Sequence, residues 1–112
     1  MAGEYTVLND LPGTVDIPSS GIVSKVAFSD DALRVTMFGF AEGEEMTDHS
    51  STMEAVMHFL EGEAEVTLGD DTVTVHAGAW IQMNPGLVHG IRAKTAVKML
   101  LVLLRGTRES SG

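Results

Sequence analysis

Four histidines, His49, His58, His76 and His89, carry most of the reactive chemistry this 112-residue chain has to offer. Near neutral pH an imidazole can ligate a metal, move a proton or hold a polar ligand. Cysteine is absent, which removes thiolate nucleophiles, disulfides and cysteine-type zinc sites together. Ser51 follows His49 by two residues, on one face of an extended chain, so a hydroxyl–imidazole hydrogen bond is open to the pair. No orienting acid or evident oxyanion donor accompanies them, and a Ser–His pair without those parts is weak ground for a nucleophile. Phosphate-cradling and dinucleotide-binding glycine patterns are missing. Carboxylates are plentiful, but they gather in runs such as Glu42, Glu44, Glu45 and Asp48, and Glu61, Glu63, Glu65, Asp70 and Asp71. Solvation is the expected role of such runs, ahead of a glycosidase pair. Arg34, Arg92 and Lys94 are candidates to meet an anionic substrate at a rim, or are ordinary surface charges.

The elements that must position these groups read as strands. Residues 1–21 hold Pro12, Pro18, Gly13 and Gly21 among polar residues and predict an extended arm with turns. Residues 22–28 and 33–40 are rich in β-branched and aromatic side chains, separated by the turn-like Ser29-Asp30-Asp31. Residues 41–48, acidic and glycine-bearing, read as a loop or bend. Strands follow at 55–60, 64–68, 72–76, 80–83, 88–92 and 97–105, with Glu61-Gly62, Gly69-Asp70-Asp71 and Asn84-Pro85-Gly86 as turns. Residues 106–112 read as a flexible tail. Short strands about every ten residues, without helical periodicity, predict one all-β domain, a sandwich or barrel over 22–105.

Charge and composition narrow the partners. Sixteen acidic against seven basic residues give a net charge of −9, a field that repels phosphate backbones and anionic lipid, so neither nucleic acid nor membrane is expected. The opening residues lack the basic and apolar regions of an export signal, and the longest apolar run, 99–104, is far below the roughly 20 residues of a membrane helix. A soluble cytoplasmic protein is expected. In the strand at 55–60 both faces are apolar, Ala55, Met57 and Phe59 against Val56, His58 and Leu60; the strand at 97–105 behaves alike. A barrel strand needs only its inner face buried, so either the arm or, as expected here, the second subunit of a homodimer covers the outside. His58, on the apolar outer face, reads as an interface histidine, and His76 as a solvent-exposed one.

The spacing of Gly43, His49 and Gly62, then Gly78, Gly86 and His89, resembles the two motifs of the cupin family. The first motif is a glycine, five residues, His-x-His, three or four residues, a glutamate, six residues and a glycine. The second is a glycine, five residues, Pro-x-Gly, two residues, a histidine, three residues and an asparagine. The similarity spans roughly residues 33–105 and implies a double-stranded β-helix, a jelly-roll-like barrel. Ser51 replaces the second histidine, Ala55 the glutamate, Asn84 the proline and Ala93 the asparagine. Glu54 lies one residue too early, and strand parity sends it out of the barrel unless a bulge intervenes.

The resemblance implies that His49 and His89 converge in the barrel. Metal-binding members use both motif-one histidines, the glutamate and the motif-two histidine. Here His49 and His89 alone would hold a zinc, iron, manganese or nickel ion weakly, with water, Ser51 or a substrate carboxylate completing the shell. Extending the inward parity from His49 gives Ser51, Met53, Ala55, Met57 and Phe59, with Ile91 following His89. Ser51, Met53, Met57, Phe59 and Ile91 therefore form the expected ligand-binding set, methionine suiting irregular apolar shapes. For Met57 and Phe59, filling the core is the stronger alternative. Two functions stay open: a small-molecule-binding protein, or a metal-dependent enzyme of dioxygenase, isomerase or decarboxylase type.

Overall fold

The computed structural model describes residues 4–106 of the chain. Residues 4–21 form the arm, whose one regular element is a 3-10 turn at Pro12–Thr14. Nine strands follow: β1 Ile22–Ser29, β2 Leu33–Phe40, β3 Glu45–His49, β4 Glu54–Glu61, β5 Glu63–Leu68, β6 Asp71–His76, β7 Trp80–Met83, β8 His89–Ala93 and β9 Val97–Leu104. They pair antiparallel in two sheets, one ordered β1-β2-β9-β4-β7 and the other β3-β8-β5-β6. The all-β double-stranded β-helix expected from the sequence is the observed architecture. The expected tail from 107 onward lies outside the described residues.

β3 corrects the expectation of a loop over 41–48. Its sequence, EMTDH, is acidic with a single apolar residue, and its alternation is broken by a bulge. Met46 pairs with Ile91 and His49 with His89, so three steps on β3 match two on β8 and one residue is extra. Asp48 takes up the irregularity with φ 54, a left-handed conformation that aspartate tolerates better than most residues. The bulge puts His49 on the same face as Met46, where strict alternation would put Asp48.

The core fills the space between the sheets. In β4 the burial follows the expected parity: Ala55, Met57 and Phe59 are buried, while Val56, His58 and Leu60 are half-buried on the outer face. Phe40, Val66, Ile91, Val97 and Met99 meet them from the other strands. Met37 is also fully buried, yet it pairs with Leu100 on the outer face, opposite the register of Phe38 with Met99. An outward side chain is buried only by something laid over it, and the arm is what lies there. Gly39 sits against the Asp16 carbonyl and Ile17, the Lys98 ammonium donates to the Pro12 carbonyl at 2.7 Å, and Val15 is buried. The β1–β2 turn is fixed by Asp30, whose carboxylate accepts from the backbone N–H of Leu33 and Ala32; those bonds hold its pKa below the ordinary carboxylate value.

Candidate functional site

His49 and His89 face each other at one end of the space between the sheets, their ring centroids 6.5 Å apart and tilted by 35°. Register places them: His49 ends β3 after the bulge and His89 begins β8, directly across from it. Two loops are tied together behind them. The N–H of Gly86, a residue with φ 90, donates to the Ser51 carbonyl at 2.7 Å, joining the turn before β8 to the turn after β3. The Nδ1 of His89 lies 3.1 Å from the Leu87 carbonyl. A carbonyl can only accept, so Nδ1 carries the proton and donates, which leaves Nε2 of His89 as a free acceptor or ligand.

Around the pair lies a cavity of about 360 Å³, lined by Phe38, Met46, His49, Ser50, Ser51, Ala55, His89, Leu101 and Leu103. Three of the sequence-derived site residues, His49, His89 and Ser51, are brought together here. Met53, Met57, Phe59 and Ile91 do not line it. Met57, Phe59 and Ile91 are 1%, 0% and 4% exposed and sit in the core. Met53 leaves the parity because the chain does not stay extended after His49: its N–H is held by Ser51 Oγ at 2.9 Å in a bend. The apolar lining comes instead from β2, β3 and β9. Leu101 and Leu103 share a face of β9, and their register with Met57 and Ala55 turns that face inward, a relation that the sequence of either strand alone does not contain. Met46 is missed by sequence reasoning because its strand reads as a loop.

A second, smaller groove of about 160 Å³ runs over Gly90 on the outside of the smaller sheet, between Glu45, Thr47, Glu65, Thr67 and Arg92. Arg92 is flanked there by Glu45 at 4.0 Å and Glu65 at 3.5 Å, which neutralise it, and neither histidine reaches this face. The space at the histidine pair is the candidate site.

A cupin domain model matches residues 36–103, more than half of the chain. This protein belongs to the cupin family. A conserved protein of unknown function from Streptococcus pyogenes is 31% identical to it, over 94% of this chain and 92% of that one, with a TM-score of 0.81. A cupin superfamily protein from Desulfitobacterium hafniense superposes with a TM-score of 0.81 at 21% identity, covering 94% of each chain. A conserved double-stranded β-helix protein from Klebsiella pneumoniae gives 0.80 at 18% identity, over 94% of this chain and 95% of that one. No curated protein matches the chain. Among the described residues, no helix is long and apolar enough to cross a membrane.

The metal that the family resemblance implies is a poor fit to the residues of this cupin. Among the described residues no cluster of three or more His, Cys, Asp or Glu side chains is placed to hold an ion. Two imidazoles on one tetrahedral ion, with metal–nitrogen bonds of about 2.0–2.1 Å, bring their centroids to roughly 5.5 Å. The observed 6.5 Å is wider. Glu54 supplies no third donor: it shares the outer face with Val56, is 8% exposed, and its carboxylate accepts from Gln82 Nε2 at 2.8 Å. His58 and His76 also stand apart, His58 on the outer face beside Leu100 and Trp80, and His76 with its side chain 70% exposed, 3.8 Å from Glu63.

Proposed function

We propose that this cupin binds a small, partly apolar molecule in the cavity between its sheets. The observation that carries the reading is the composition of the lining: an apolar wall of Phe38, Met46, Leu101 and Leu103 facing two convergent imidazoles and two serines. About 360 Å³ is enough for a small organic ligand, and a few polar groups on an apolar wall orient a ligand rather than merely solvate it. With Nδ1 of His89 committed to Leu87, Nε2 is the acceptor that meets a ligand hydroxyl or N–H through a hydrogen bond.

Thermal denaturation in the presence of small organic acids, sugars and aromatic compounds tests this. A ligand at 100 times its dissociation constant stabilises by about 2.7 kcal/mol, roughly 10 °C in a domain of this size. The shift is expected to shrink in a His49→Ala/His89→Ala double variant. If no compound of those classes raises the midpoint, the binding reading is wrong. A metal-dependent enzyme is the second reading, favoured by the facing of His49 and His89 alone; the shortage of donors weighs against it.

We also propose that a second copy of the chain covers the outer face of β4 and β9. The arm lies over Gly39 and Lys98, while Val56, Leu60, Leu100 and Val102 beyond it remain half-buried, with Trp80 61% exposed alongside. A chain of net charge −9 repels its own copies wherever carboxylates meet. The part of this face left open by the arm presents Val56, Leu60, Leu100 and Val102, with Glu54 only 8% exposed, so it is where two copies approach at least electrostatic cost. Light scattering on the wild-type protein at micromolar concentration is expected to give twice the chain mass of 11.9 kDa, and Val102→Glu to give the monomer. A monomeric wild type refutes the dimer.

A further inference from the structure

Four of the six described basic residues of this acidic protein are engaged. Lys94 lies 3.1 Å from Glu63, Lys98 lies 3.8 Å from Glu61 and donates to Pro12, and Arg92 sits between Glu45 and Glu65. Arg105 donates to the Asp30 carbonyl and Ser29 Oγ. Among the described residues, Lys25 and Arg34 have no such partner, although carboxylates outnumber cations by more than two to one. The two differ in where their strands place them. Lys25 pairs with Met37, on the outer face. Arg34 pairs with Leu103, and two residues on Thr36 pairs with Leu101. Leu101 and Leu103 both line the cavity, as does Phe38 farther along the same face of β2. Strand alternation therefore gives Arg34, Thr36 and Phe38 one face, the one turned toward the cavity, with Arg34 at the solvent-exposed end of the row. Directly paired residues in an antiparallel ladder have Cα atoms about 4.5–5.5 Å apart, well within the reach of an arginine side chain.

We propose that Arg34 binds the carboxylate of the cavity's ligand, which makes that ligand a small monocarboxylic acid with an apolar body. The assignment rests on the binding reading above and narrows it. The guanidinium offers a planar fork matched to a carboxylate, and charge-assisted bonds of this kind are roughly twice as strong as neutral ones. The apolar body lies along Phe38, Leu101 and Leu103, and a polar atom at its far end meets the imidazoles. A phosphate dianion carries twice the charge into the field of a −9 protein for the same single cation, so the monoanion is favoured. Selectivity for acids then comes from one residue, while the apolar wall sets shape and length.

Calorimetric titration with matched pairs separates the two readings: hexanoate against hexanamide, and phenylacetate against phenylacetamide. In the wild type the acid of at least one pair is expected to bind about tenfold to a hundredfold more tightly than its amide. Arg34→Met should abolish that preference, the acid losing far more affinity than the amide, while the unliganded melting temperature stays unchanged. Arg34→Lys should keep a reduced, more salt-sensitive preference, since a point charge replaces the fork. Equal binding of acid and amide by the wild type, or an acid preference that survives Arg34→Met, overturns the role of Arg34 and leaves the cavity's binding function standing. Binding of neither member of either pair, with no stabilisation by the wider compound panel, overturns both.

Discussion

Replacing Gly62 with alanine is expected to cost about 2–4 kcal/mol, a large share of the stability of a domain this size. Two independent effects add at this position. Gly62 turns the chain from β4 into β5 with φ 89, a left-handed conformation that costs a residue with a Cβ roughly 1–2 kcal/mol. A Cβ built there also falls on the Ala96 carbonyl oxygen and 2.9 Å from Thr95 Oγ1, closer than atoms pack. The carbonyl cannot swing away cheaply. The segment beside it is bound to the same turn by the Lys94 and Thr95 N–H groups donating to the Glu63 carbonyl, and by the Glu63 N–H donating to Thr95 Oγ1. Gly78→Ala provides the comparison: φ there is 98, but nothing lies within 4 Å of the added carbon, so only the backbone cost of roughly 1–2 kcal/mol remains. Urea denaturation of both variants measures the difference. Equal losses would show that the contact with residues 95–96 carries no weight.

That contrast also explains how much of this molecule is legible in its sequence. Glycines that must turn the chain, Gly43, Gly62, Gly78 and Gly86, all have φ between 85 and 98, and their spacing alone locates most strand ends. Alternation in β4 is equally readable, because Ala55, Met57 and Phe59 keep one parity with no interruption. Legibility fails where parity is interrupted. β3 reads as a loop because the bulge at Asp48 breaks its alternation, and that same bulge is what gives His49 the face of Met46. Carrying the parity of His49 onward through Met53 fails for a related reason, since the chain bends at Ser51 and restarts its alternation at Glu54. The walls of the cavity were out of reach of local pattern altogether. Phe38, Leu101 and Leu103 come to the site through pairing of β2 with β9 and of β9 with β4, contacts between residues far apart in the chain. Local periodicity states that two faces exist; register decides which one is inside.

Restoring the two missing motif positions, Ser51→His with Ala55→Glu, is expected to convert the cavity into a metal centre and to give the largest gain available in this protein. Wild-type protein, purified without an affinity tag or chelator, should carry zinc, iron, manganese and nickel at less than half an ion per chain in total. Two imidazoles with centroids 6.5 Å apart and no carboxylate fall short of the three or more protein ligands a tight site uses. Ser51 and Ala55 line the same cavity as His49 and His89, so new side chains at both positions join the wall that carries the two rings. The double variant should then hold close to one ion per chain, and zinc at 100 times its dissociation constant should raise its stability by about 2.7 kcal/mol. Without metal the variant should be less stable than the wild type, because Ala55 is 3% exposed and a carboxylate there is buried without a partner. That penalty is the internal control. A variant that is destabilised, and then rescued by zinc but not by magnesium, has built a site; one that is destabilised and not rescued shows that His49 and His89 cannot close on a common ion. Ser51→His alone, with three nitrogens and no buried charge, should fall between the two in zinc affinity and cost about 1 kcal/mol for the lost bond from the Met53 N–H to Ser51 Oγ. A wild type already loaded to half an ion or more would reverse the argument, since the two histidines would then suffice with donors from solvent or ligand.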